Sequence, residues 1–242
     1  METKIIRLEN SENQLVLKNK EGYFLVDALI SPFELIENSI PLKEVLGIFI
    51  SGGSEKSVRY LERLLVETQA FLFISEKLFN ELQLKTNSRV VFLNSGSFSF
   101  FGLSVFYLPT NDYMRNYVFR FHELKDKVGY GVNLGNTEKD LKIFFEGVNK
   151  IYLEASFDET LLNREKEEHP NSEQFFLEKN NMSNIEVFKL LDGLKKNLKE
   201  AVLINMSLKY NSRSKIVTVF APLKETINIY TIDTLTGTIK KI

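Results

Sequence analysis

The sequence has no cysteine, no tryptophan and only two histidines, His122 and His169, in 242 residues. Without cysteine there is no disulfide, no thiolate zinc site, no iron–sulfur cluster and no thiol nucleophile. Two histidines leave little material for a catalytic zinc, which usually takes two or three imidazoles. Neither sign of charge is in excess: 31 Lys+Arg against 32 Asp+Glu leave a formal net charge of −1. That balance offers no general attraction to nucleic acid or to an anionic membrane. No apolar run approaches the roughly 18 to 20 residues that span a bilayer. The N-terminal segment 1–9 lacks the basic start and apolar stretch of a secretory signal. A soluble, cytoplasmic protein without a membrane partner is the expectation.

What is present is material for a core. The chain is 43% hydrophobic and 26% charged, which excludes disorder and collagen-like repeats. Segments 4–8, 14–17 and 23–28 read as three consecutive strands separated by Asn, Ser and Lys-Glu-Gly turn signals. Ser31-Pro32 opens a short helix. The apolar run Val45-Leu-Gly-Ile-Phe-Ile50 reads as a buried strand, followed by the loop Ser51-Gly-Gly-Ser-Glu-Lys56 and a helix carrying Val58, Leu61, Leu64 and Leu65. Further strands are predicted at 70–74, 89–93, 104–108, 117–121, 128–132, 150–154, 201–205 and 227–232, with helices at 76–82, 137–145, 184–198 and near 211–221. The polar stretch 163–173 reads as an exposed loop. Strands first and βα units afterwards, twice over, predict two sheets with helices outside, and no linker divides the chain.

At residues 45–56 the pattern resembles the metallo-β-lactamase fold. That family carries His-x-His-x-Asp-His in this loop, where the present chain has Ser51, Gly53, Glu55 and Lys56. Leu25-Val-Asp27 resembles the family's strand-terminal Leu-Ile-Asp. Pro109-Thr-Asn111-Asp112 is similar to the His-Asp segment of the small bacterial phosphodiesterase and DNA-exonuclease branch. Val128-Gly-Tyr-Gly-Val-Asn133 resembles that branch's strand ending in Thr-Asp, with Asn133 in place of the bridging Asp. Leu153 to Asp158, Asn180-Asn181-Met-Ser-Asn184 and Leu203-Ile-Asn205-Met-Ser207 with Asn211 resemble three later segments in the same order. The resemblance implies one domain over residues 1–242, an α/β, αββα sandwich of two mixed sheets with helices on the outer faces.

It also implies a lost metal centre. The matching positions hold Ser51, Gly53, Glu55, Lys56, Asn111, Asn133 and Asn205, which supply no imidazole and one carboxylate between them. The expected function is therefore that of a non-catalytic pseudoenzyme that binds or scaffolds, through a protein partner or self-association, with no cofactor and room for a small anion in the former cleft. Two alternatives stay open. One is a hydrolase of phosphodiester or nucleic-acid substrates using a single divalent cation, weakly held by Asp27, Glu55, Asp112 and Asp158. The other is a nucleic-acid-binding protein without cleavage.

Several residues have structural readings beside the functional ones. Ser51 to Lys56 could cradle a phosphate at a helix N-terminus, but Ser54 as a helix cap is the simpler reading, since the spacing of a phosphate-binding loop is missing. Asp27, Asp112 and Asp158 read as short acids accepting backbone N–H groups in turns. His122 and His169 read as surface residues. Most of the 20 Phe are expected in the core, with Phe98 to Phe101 as an exposed patch. Lys195, Lys196 and Lys199 are expected on the wet face of a helix.

Overall fold

The computed structural model describes residues 1–8, 13–54, 57–85, 88–94, 96–110, 116–135, 138–232 and 239–242. By contacts the chain divides into two compact units, Met1–Leu124 and Lys125–Ile242. Their strands form two mixed sheets, of six and of eight strands. The six-stranded sheet lies in the first unit, and the strands of the other are given below with the unit that contains them.

In the first unit, β1 (Glu2–Arg7), β2 (Asn13–Lys18) and β3 (Tyr23–Val26) pair antiparallel. Parallel strands β4 (Val45–Phe49), β5 (Phe71–Ser75) and β6 (Val90–Leu93) complete the sheet in sequence order. The crossovers carry α1 (Pro32–Glu37), α2 (Leu61–Glu67) and α3 (Glu76–Glu81). The Ser31 and Glu34 side chains form a capping box on α1, as Ser-Pro-x-Glu encodes. Side chains alternate across the pleat. Ile48, Ile50, Leu72 and Ile74 join a cluster with Leu35, Leu61, Leu64 and Leu78 of the helices. Phe24, Phe49 and Phe73 form a separate aromatic layer.

That layer packs against a meander of β7 (Gly96–Phe100), β8 (Leu103–Pro109) and β9 (Tyr117–Glu123). Phe73 stacks on Phe49 at 4.5 Å and on Phe98 at 4.8 Å between ring centroids, and Phe121 meets Phe49 edge-on at 5.2 Å. The expectation that Phe98 to Phe101 form an exposed patch is corrected here. Phe98 and Phe100 are half-buried against these rings, because alternation along β7 points both to one face, and only Phe101 is exposed.

In the second unit, β10 (Asp126–Gly131), β11 (Lys150–Glu154), β12 (Glu200–Ile204) and β13 (Asn228–Ile232) run parallel. β14 (Ile239–Lys241) adds antiparallel to β13. The helices are α4 (Glu138–Phe144), α5 (Glu159–Glu168), α6 (Ser172–Asn180), α7 (Asn184–Leu194) and α8 (Arg213–Phe220). The predicted loop at 163–173 is a correction: it is α5, a short break and α6. Asp158 caps α5 through the Leu161 N–H, and Asn171 and Gln174 form a capping box on α6. These ends stabilise helices that bury little apolar surface. α7 ends at Leu194, so Lys195, Lys196 and Lys199 follow it in exposed turns.

Candidate functional site

The candidate residues gather at the carboxyl ends of strands, where α/β sheets present their ligands. In the first unit, Asp27 follows β3 with φ of 67°, a left-handed conformation that Asp tolerates better than most residues. Its carboxylate accepts from the Ser51 backbone N–H at 2.7 Å and from Ser51 Oγ at 2.8 Å. Both groups are buried. Gln14, fully buried beneath this turn, donates to the Val26 carbonyl at 2.8 Å and accepts from the Leu29 N–H at 3.1 Å. Sequence reasoning passed over Gln14, although an amide inside a buried strand signals a hydrogen-bonding duty.

The loop after β4 passes close to the Asn116 side chain. A Cβ on Gly52 would lie 2.0 Å from Asn116 Oδ1, so any larger residue requires the Asn116 side chain to move. Gly53 is exposed. Ser54 Oγ accepts from the Ser57 N–H at 3.1 Å, so it caps the turn at 57–60; α2 starts at Leu61 without a side-chain cap, which corrects the helix-cap expectation. Glu55, Lys56, Asn111 and Asp112 lie outside the described residues.

In the second unit, Asn133 follows β10 with φ of 51° and Asn205 follows β12 with φ of 52°. The Asn133 N–H donates to Glu154 Oε2 at 2.6 Å. Asn181 Nδ2 reaches the same oxygen at 2.8 Å and Asn133 Oδ1 at 3.2 Å. Glu154 and Asn181 lie in segments that carry the resemblance but were given no site role there, and this hydrogen-bonded triad is what they contribute. Asn211 and Asn184 exchange amide hydrogen bonds at 2.9 and 3.0 Å, and Asn211 also donates to the Ala155 carbonyl. Asp158 caps α5 and lies 3.3 Å from Lys215 Nζ. Asp27 and Asp158 both accept backbone N–H groups, from Ser51 and Leu161. His169 is exposed at the end of α5, and the His122 ring lies on β9 with its centroid 4.7 Å from that of Phe106. His122 is half-buried, with Nε2 enclosed, where a surface position was expected.

The members of the set among the described residues do not fit a dinuclear zinc, iron or manganese centre. These members, Ser51, Gly53, Asn133 and Asn205, present a hydroxyl and two neutral amides, with no imidazole and no carboxylate. The nearby acids Asp27 and Glu154 hold N–H donors instead. Among the described residues no group of three or more His, Asp or Glu gathers to hold a metal.

With this geometry in hand, comparison with solved structures shows the fold. YhfI from Bacillus subtilis, a metallo-β-lactamase fold protein, superposes with a TM-score of 0.72 at 11% identity, covering 96% of this chain and 92% of its own. Igni18, a metallo hydrolase from the archaeon Ignicoccus hospitalis, gives a TM-score of 0.66 at 10% identity, covering 99% and 98%. A diphosphatase of the PhnP family gives 0.63 at 12% identity, covering 97% and 87%. The chain has the metallo-β-lactamase fold. No family model and no curated protein matches it by sequence. No helix among the described residues is long and apolar enough to cross a membrane.

Proposed function

We propose that this chain is a non-catalytic member of the metallo-β-lactamase fold that works by binding or scaffolding. The observation that carries the reading is Asp27. At the strand end where the fold's hydrolases keep an acid beside the metal loop, both of its carboxylate oxygens accept hydrogen bonds from Ser51, a residue at a position the family gives to histidine. A carboxylate so engaged gives up two good hydrogen bonds to ligate a cation, and the neighbouring position offers it no imidazole. Asn133 and Asn205 extend the pattern: each keeps the left-handed turn and lacks the charge.

The test is hydrolysis of bis(p-nitrophenyl) phosphate by the full chain with zinc, manganese or iron(II) added. The expected rate equals that of buffer with metal. A chelator-sensitive rate that Glu55→Gln or Asp112→Ala abolishes would overturn the reading and establish the single-cation hydrolase.

A further inference from the structure

A groove of about 600 Å³ runs between α4 and α7, within the second unit. Its floor is apolar: Leu190 and Leu194 are one helical turn apart and nearly buried, and Ile143 stands 72% exposed at the edge. Its rim is basic. Lys142, Lys189 and Lys196 line it against one acid, Glu146, and all three lysines are exposed without an ion pair among the described residues. Gly193 lies in the last turn of α7, beside the flexible end of the Lys142 side chain. It sits inside α7 with ordinary helical backbone, where glycine costs about 1 kcal/mol against alanine, and a Cβ there would lie 2.9 Å from Lys142 Cε.

We propose that this groove binds a small anionic amphiphile, an alkyl chain ending in a carboxylate. The volume falls in the usual range for small-molecule sites, roughly 300–1,000 Å³. The ten residues that line the groove are fewer than the roughly 20–30 a side of a stable protein interface. Three ammonium groups against one carboxylate, over an aliphatic floor, leave an excess of positive charge that complements a carboxylate head with an apolar tail and repels a cationic one. The site is independent of the strand ends described above.

The experiment titrates the full chain with octanoate, decanoate and dodecanoate below their micellar concentrations, by calorimetry and by amide chemical shifts. The affinity is expected to rise about two- to fourfold per added methylene, as alkyl burial dictates. Decanol and decyltrimethylammonium are expected to bind at least tenfold more weakly than decanoate. The surface variant Lys142→Glu/Lys189→Glu/Lys196→Glu should abolish carboxylate binding, and Gly193→Met, with folding checked by circular dichroism, should block it by filling the groove. Equal binding of the alcohol or the cation, indifference to both variants, or binding to anionic vesicles without binding to free carboxylates would each overturn the proposal.

Discussion

Asp27 is held in a conformation and a hydrogen-bond set that few residues satisfy. Replacing it with alanine leaves the buried Ser51 N–H and hydroxyl without their acceptor, at a cost of about 1–3 kcal/mol, and removes a short polar side chain that tolerates left-handed backbone better than alanine does. Asp27→Ala is therefore expected to lower the unfolding free energy by about 1–3 kcal/mol, read from urea midpoints. Asp27→Asn, which keeps an acceptor and tolerates the turn, should lose less than half of that. Tyr117 supplies a pH dependence. Burial, with Tyr107 nearby, pushes its phenol above the ordinary tyrosine range, and its OH donates to the Leu93 carbonyl at 3.0 Å. The folded chain holds this proton more tightly than the unfolded chain does. The stability it contributes is present below about pH 10 and falls as the pH rises past it. Tyr117→Phe should flatten that alkaline decline.

At the scale of elements, α5 and α6 show why charge patterning misled the sequence reading. Segment 163–173 is polar, and a helix with so small an apolar face resembles a loop when hydrophobic periodicity is the only guide. The signals that were present are caps: Asp158 before Glu159, and Asn171 followed three residues later by Gln174. Because the ends contribute so much to these helices, Asn171→Ala should cost about 1 kcal/mol and leave the residues of α6 with faster amide exchange than those of α7. The βα units, by contrast, were read nearly to the residue at β4 and β11. Their apolar runs belong to buried strands, and burial on both faces leaves little room for another reading. Aromatic alternation along β7 escaped because Phe98-Ser-Phe100 has only two inward positions in which to show a period.

For the whole molecule, the order of strand-end motifs made the fold readable at sequence level, even though the structural relatives share only 10–12% identity. Fold survives such divergence because it rests on periodicity and burial, which many residues satisfy. The site is less readable because its replacements act through partners distant in sequence: Ser51 through Asp27, and Asn133 through Glu154 and Asn181. The resemblance implied which positions carry no ligand, and the structure adds the hydrogen bonds that Ser51 and Asn133 make. The central claim is that the framework persists without its metal chemistry. Elemental analysis of the full chain, purified without chelator and dialysed against zinc, manganese and iron(II), tests it most directly. The account predicts substoichiometric metal, unchanged between the parent and Asp27→Asn. One or two tightly held equivalents that Asp27→Asn or Glu55→Gln removes would contradict it.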